Sequence, residues 1–226
     1  MISRYGLDNF FIILAIGLIL LVCIYFVKWS IALSSLFFLI GLFLITVAFW
    51  FFRDPKREIP DFALKNPAVV LSPADGTIME IVDDNEDNYM KSKSKRISIF
   101  LSVLDVHVNR VPTSGVIEFV KFIPGRKLIA SDNKASQENQ QSLFGLRNPY
   151  GKILFKQIVG VLARRIVWDI KVSDSVIVGE KFGMMKFGSR MDIHLPENSE
   201  TMVRVGQKVV AGQTQLALLK QLSAGN

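Results

Sequence analysis

Three short polar clusters carry residue types that could perform nucleophilic and acid–base chemistry. They are residues 72–76 with Asp75, residues 104–112 with His107, and the pair Gly188-Ser189. A serine hydroxyl becomes a useful nucleophile when a neighbouring base takes its proton, and a carboxylate can hold a histidine base in one tautomer. Each cluster alone is most often a turn or a structural feature, so their combination is what points to a reaction.

The composition argues against a metal centre and against disulfide chemistry. The chain of 226 residues has one cysteine, Cys23, and two histidines, His107 and His194. One cysteine forms no intramolecular disulfide and excludes a cysteine-based metal cluster, and two histidines are too few for a histidine-rich metal site. We therefore predict a site without a metal.

Two uncharged apolar runs near the N-terminus predict a membrane anchor. Residues 10–27 and 31–52 are each long enough to cross the hydrocarbon core as a helix. The short polar segment Lys28-Trp29-Ser30 separates them, which favours a helical hairpin. We therefore assign residues 1–52 to a transmembrane hairpin and residues 53–226 to a separate domain.

The basic residues predict the orientation of this hairpin. Arg4 precedes it and only Lys28 lies in its turn, whereas four basic residues follow it. These four are Arg53, Lys56, Arg57 and Lys65. Because basic residues near membrane spans favour the cytoplasm, both ends and the following domain are expected on the cytoplasmic side of the cell membrane.

Residues 53–226 read as a mainly β, barrel-sandwich-like catalytic domain. Short β-branched runs alternate with Gly, Pro, Asn and Asp, which is typical of a barrel or sandwich. The runs are 68–71, 76–82, 96–101, 115–122, 152–161, 166–172, 202–205 and 215–219. Ser131–Ser142 is polar and poor in strand-forming residues, and it predicts a loop, either a lid or a passive connection.

The charge balance favours an anionic lipid surface over nucleic acid as a partner. After residue 52 the chain carries 25 basic and 19 acidic residues, a net charge of +6. A basic domain beside a membrane anchor suits anionic lipid. No basic run interleaved with aromatics and no zinc-finger spacing is found, so we predict no nucleic-acid partner.

Taken together, these segments resemble phosphatidylserine decarboxylase in its short, membrane-anchored form. The resemblance covers nearly the whole chain, and Phe187-Gly188-Ser189-Arg190 is its most specific part because it matches the self-cleavage site of the family. The other matching segments are the hairpin and residues 52–55, 72–76, 105–110 and 163–167.

The resemblance implies a proenzyme that cuts its own chain between Gly188 and Ser189. The products would be chains 1–188 and 189–226, associated as a heterodimer, with Ser189 converted into a covalent pyruvoyl group. That group would form a Schiff base with the amine of phosphatidylserine and accept electrons as carbon dioxide leaves. The product would be phosphatidylethanolamine.

The resemblance also assigns roles to individual residues. Ser189 would be the nucleophile and the precursor of the cofactor, Asp75 would orient the histidine, and His107 matches the first histidine of the family motif. Longer members have a second histidine where this chain has Arg110. Either His107 serves both self-cleavage and decarboxylation, or another group is the base for self-cleavage. His194 is a candidate for that base, but we expect it to be structural. Arg110 could instead bind a substrate carboxylate or phosphate.

A non-enzymatic alternative is a membrane-anchored barrel-sandwich adaptor or carrier domain. The segment Val205–Gly212 resembles the hairpins of such folds, and Lys208 is placed where a carrier lysine could lie. Its neighbours lack the usual Met-Lys-Met or Asp-Lys-Ala signature.

Overall fold

The chain is mainly β, as predicted, and divides into two compact units, Met1–Lys56 and Arg57–Asn226. The computed structural model describes residues 1–26, 30–126, 138–160, 166–186 and 189–221. The predicted turn residues Lys28 and Trp29 lie outside these ranges.

The N-terminal unit consists of two long apolar helices, α1 (Leu7–Phe26) and α2 (Ile31–Phe51), after a 3-10 turn at Arg4–Gly6. Both are long and apolar enough to cross a membrane, which is consistent with membrane association. A Cβ atom at Gly17 would lie 3.0 Å from the carbonyl oxygen of Gly41, so small residues let the two helices approach closely.

The two ends of this hairpin are joined by main-chain hydrogen bonds. Ser3 N donates to Phe52 O at 2.8 Å, and Asp54 N donates to Met1 O at 2.7 Å. Between the two helices, the Ser30 side chain accepts a hydrogen bond from Leu33 N and caps the start of α2.

The C-terminal unit contains one short helix, α3 (Asp61–Lys65), and fourteen strands in the described ranges. The strands are β1 Val69–Leu71, β2 Gly76–Glu86, β3 Ser92–Leu101, β4 Val108–Arg110, β5 Gly115–Ile123, β6 Gln141–Asn148, β7 Gly151–Val159, β8 Ile166–Trp168, β9 Ser175–Val176, β10 Lys181–Met185, β11 Ser189–Pro196, β12 Glu200–Thr201, β13 Lys208–Val209 and β14 Gln215–Leu218.

The strands form one large antiparallel sheet and two small ones. The large sheet has the order β13-β2-β3-β11-β7-β6-β5-β9 and curls into a half-barrel. The small sheets have the orders β1-β14-β12 and β4-β10-β8. Strand β11 is therefore central, bonded to β3 along one side and to β7 along the other.

Strand β11 is buried on both of its faces. Met191 and Ile193 lie in the main hydrophobic core with Ile97 and Ile99, their partners on β3. Because side chains alternate along a strand, Ser189 shares this core face, whereas Arg190, Asp192 and His194 occupy the other face.

Several strand predictions were wrong in their limits. Gln141 and Ser142 were predicted as the end of a loop. They instead begin β6, because they pair with Ile158 and Gln157 and are buried. Residues 131–137 of the predicted loop lie outside the described ranges. The predicted run 166–172 forms a strand only to Trp168. Residues 202–205 form no strand, and the preceding pair Glu200–Thr201 pairs with β14 instead.

Candidate active site

Two of the predicted site residues, Asp75 and Ser189, lie at one end of the large sheet. Ser189, the first residue of β11, is the register partner of both Leu101 and Val159, the last residues of β3 and β7. Strand β2 begins at this same end, since Thr77 pairs with Phe100. Asp75 and Ser189 are therefore brought to the same end of the sheet.

Ser189 is fully buried in the interior of the domain. Its exposed fraction is 0%, and its Oγ atom has no hydrogen-bond partner in the described part of the chain. Buried hydroxyls usually have a partner, so an unpartnered one calls for a specific explanation. Gly188, the other half of the predicted cleavage site, lies outside the described residues.

His107 is fully buried, and a main-chain contact fixes its tautomer. Its Nδ1 atom lies 2.9 Å from the carbonyl oxygen of Asp105, so Nδ1 carries the proton and donates. In the neutral ring Nε2 is then the basic atom. The preceding turn is held by Asp105, whose Oδ2 accepts a 2.8 Å bond from Ser102 N.

The main chain of His107 is bonded to a strand end that lies shortly before Ser189 in the sequence. The carbonyl of His107 accepts a 3.3 Å hydrogen bond from Met185 N at the end of β10. Met185 precedes Ser189 by four residues, which span at most about 14 Å. The strand end bonded to the His107 main chain and the start of β11 thus lie at the two ends of one short connection, which contains the predicted cleavage point.

The carboxylate of Asp75 is held by two contacts. Oδ2 lies 2.7 Å from Arg57 Nη2, and Oδ1 accepts a 2.8 Å bond from Ala211 N. The tautomer-fixing bond of His107 goes to the main chain of Asp105, so the predicted orienting role of Asp75 stays a prediction. Its neighbour Gly76 must be a glycine, because a Cβ there would overlap the carbonyl oxygen of Phe100.

Arg110 and His194 each contact another part of the domain. Arg110 is buried, and its Nη1 donates to Gly179 O at 2.8 Å on the side of β4 opposite to Asn109. His194 is on the face of β11 opposite to Ser189, with Nδ1 3.0 Å from Ser94 Oγ. Substrate binding by Arg110 stays a prediction, and the position of His194 fits a structural role.

A buried ionic network behind Ser189 was missed at the level of sequence. Arg190 Nε bonds Asp192 Oδ1 at 2.7 Å, and its Nη2 lies 3.1 Å from Glu80 Oε2. Arg96 lies 2.7 Å from Asp84 and 3.8 Å from Asp192. Burial opposes the charge of Arg96, but these carboxylates outweigh that effect and raise its pKa. The available signal was the alternation of polar residues at 190, 192 and 194.

Burial also changes the pKa values of two bases in this network. Burial, and secondarily the positive charge of Lys156, lower the pKa of His194 to about 4. Burial lowers the pKa of Lys156, with Asp192 partly opposing the shift. His194 is therefore a neutral ring at physiological pH.

A buried amide pair was also missed. Gln157 Nε2 donates to Asn109 Oδ1 at 2.8 Å, and both residues have exposed fractions of 0%. Asn109 Nδ2 and Gln157 Oε1 have no hydrogen-bond partner in the ranges that the structure describes. Asn109 belongs to the polar cluster around His107, but Gln157 is hidden inside an apolar run.

Known proteins similar to this chain share one description. The phosphatidylserine decarboxylase family model matches residues 44–217. A phosphatidylserine decarboxylase proenzyme of Salinibacter ruber is 49% identical over 177 residues, which cover 78% of this chain and 77% of that protein. The proenzyme of Carboxydothermus hydrogenoformans is 38% identical over 214 residues, covering 94% of this chain and 95% of the relative. That of Syntrophus aciditrophicus is 37% identical over 216 residues, covering 95% and 96%.

Proposed function

The chain belongs to the phosphatidylserine decarboxylase family, and from this premise we propose that it cuts itself before Ser189 and then converts phosphatidylserine to phosphatidylethanolamine. The observation that carries the proposal is the buried hydroxyl of Ser189 at the start of β11. It has no hydrogen-bond partner among the described residues, and it lies four residues after the strand end bonded to the main chain of His107.

Self-cleavage begins at the hydroxyl of Ser189. Its Oγ attacks the carbonyl carbon of Gly188 while His107 Nε2 takes the hydroxyl proton, and the amide becomes an ester as the Ser189 nitrogen is released and protonated. Loss of the Ser189 Cα proton then breaks the Cβ–Oγ bond. Gly188 leaves as a carboxylate, and residue 189 becomes a dehydroalanine, which takes up water and loses ammonia to give a pyruvoyl group.

The surroundings of residue 189 fit a pyruvoyl group. The position is buried, the Oγ atom that would be lost makes no hydrogen bond to a described residue, and the backbone from residue 189 onward is held in a central strand. The group would supply an electrophilic carbonyl for the substrate amine and an acceptor for the electron pair that carbon dioxide leaves behind. His107 Nε2, at the same end of the sheet, is the proposed source of the proton that replaces carbon dioxide.

The topology supports a stable association of chains 1–188 and 189–226. Strand β11 of the small chain lies between β3 and β7, and β14 lies between β1 and β12 of the sheets. Strand β13 adds to the edge of β2. A break before Ser189 leaves all of these strand pairs in place, so the products form a heterodimer.

The lipid substrate and the two apolar helices support a reaction at the membrane surface. The two apolar helices tie the chain to the bilayer that contains the lipid, and the basic residues around them favour the cytoplasmic side. The carrier alternative has little support, because Lys208 lies within β13, paired with Thr77, rather than at the tip of a turn.

Mass spectrometry of the purified chain tests this proposal. Wild-type protein should give fragments of 188 and 38 residues, which add to the full 226, with a keto group at the start of the smaller one. Ser189→Ala should stay uncut, whereas Ser199→Ala, at another buried serine of the same segment, should be cut normally. A wild-type chain that remains whole in the presence of lipid would contradict the proposal.

A further inference from the structure

The amides of Asn109 and Gln157 face the same interior as Ser189. Gln157 is the register partner of Met191, and Val159 is the partner of Ser189. Gln157 and Ser189 are thus diagonal neighbours on one face of an antiparallel pair, a separation of about 7–8 Å. Asn109 lies in β4, two residues after His107 in the sequence.

The fold leaves space for this pair between two sheets. The hydrogen bond from Gln157 on β7 to Asn109 on β4 passes Gly183 of the intervening strand β10. A Cβ atom at Gly183 would lie 3.1 Å from Gln157 Nε2 and would overlap the carbonyl oxygen of Val167. A larger residue at 183 would therefore displace the amide, which indicates a specific site for it.

One hydrogen-bond donor and one acceptor of this amide pair are unsatisfied among the described residues. Asn109 Nδ2 and Gln157 Oε1 are fully buried and have no partner among the described residues. Exchanging the nitrogen and oxygen positions of both amides would again leave one NH₂ group and one oxygen. Buried polar groups without partners are unfavourable, so a ligand that supplies the missing acceptor and donor is expected.

We propose that the Asn109–Gln157 pair recognises the α-amino acid portion of the lipid head group, with the amide NH₂ donating to its carboxylate and the amide oxygen accepting from its amine. This inference rests on the proposed function, which brings that head group to residue 189. A neutral donor also suits the reaction. The carboxylate loses its negative charge in the transition state, so a cation beside it would stabilise the ground state more than the transition state.

Binding of two soluble head-group compounds tests the proposal. Glycerophosphoserine and glycerophosphoethanolamine differ by the carboxylate alone. Their affinities are measured by calorimetry on cleaved protein whose keto group has been reduced with borohydride, so that binding is read without turnover. Wild type should prefer glycerophosphoserine, and Asn109→Leu should lower that preference by about tenfold or more, the usual effect of losing a hydrogen bond to a charged group.

Two further variants make the result decisive. Gln157→Met removes the acceptor and the partner of Asn109, and it should reduce the preference even if Asn109→Leu does not fold. Asn148→Leu is the matched control, because the Asn148 amide already donates to Pro67 O at 2.8 Å, and its preference should equal that of wild type.

Three results would overturn the inference. They are a wild-type protein without preference, an unchanged preference in folded Asn109→Leu or Gln157→Met, and an Asn109→Leu chain that folds but stays uncut. A wild-type chain that is itself never cut would instead overturn the proposed function.

Discussion

The Nδ1 atom of His107 is tied to the carbonyl oxygen of Asp105, two residues earlier, at 2.9 Å. This contact makes Nε2 the basic atom of a fully buried ring. The position of a proton acceptor is thus set by a local turn, which Asp105 also closes through its carboxylate.

Replacing His107 should impair both self-cleavage and turnover. For His107→Ala we expect a decrease of about 10²–10⁴-fold, the range of general acid–base catalysis, because no imidazole remains to take the Ser189 proton. The measurements are the time course of fragment formation on denaturing gels and carbon dioxide release by the fraction that is cut. His194→Gln is the control, and normal rates in His107→Ala would assign the base to another group.

Loosening the turn before His107 should have a smaller effect of the same kind. Asp105→Ala removes the acceptor for Ser102 N, a charged hydrogen bond worth about 1.5–3 kcal/mol. We expect fragment formation and turnover to fall together by about tenfold or more, with Asp105→Asn closer to wild type. Unchanged rates in Asp105→Ala would mean that the surrounding core alone orients the ring.

Breaking the buried ion pair behind Ser189 should destabilise the fold. Arg190 and Asp192 have side-chain exposures of 1% and 0% and lie 2.7 Å apart. Asp192→Ala leaves a buried arginine with less compensation, at a cost of about 3–5 kcal/mol. The measure is the unfolding midpoint in detergent, where Arg190→Met combined with Asp192→Leu should recover part of the loss. Equal midpoints for Asp192→Ala and wild type would contradict this expectation.

His194 should make the fold less stable in mild acid. Its pKa is about 4 in the folded chain and about 6.5 when unfolded, so the unfolded state binds the proton first as the pH falls. Stability should therefore decrease between pH 6.5 and 4, by about 3 kcal/mol in total. Unfolding midpoints of wild type and His194→Gln across this range provide the check. A shallower slope is expected for the variant, and parallel slopes would exclude His194 as the cause.

The sequence predicted the two apolar helices and the β class because both depend on local patterns. Long apolar runs and short β-branched runs are visible without knowledge of contacts. The buried charges were not predicted, because the alternating residues Arg190, Asp192 and His194 are typical of the solvent-exposed face of an edge strand. Only the position of β11 between β3 and β7 shows that this face is covered.

The amide pair was hidden for a different reason. Asn109 and Gln157 are 48 positions apart and meet across two sheets, so no local spacing relates them. Likewise, the start of β6 at Gln141 depends on its partner Ile158, which outweighs the weak strand preference of its polar residues.

If the chain is cut before Ser189 as proposed, the central location of β11 also determines how the two products respond to dilution. A segment bonded along both flanks from the moment of folding never has to find its partner in solution. Activity per molecule should therefore be independent of protein concentration, and halves from different molecules should not exchange.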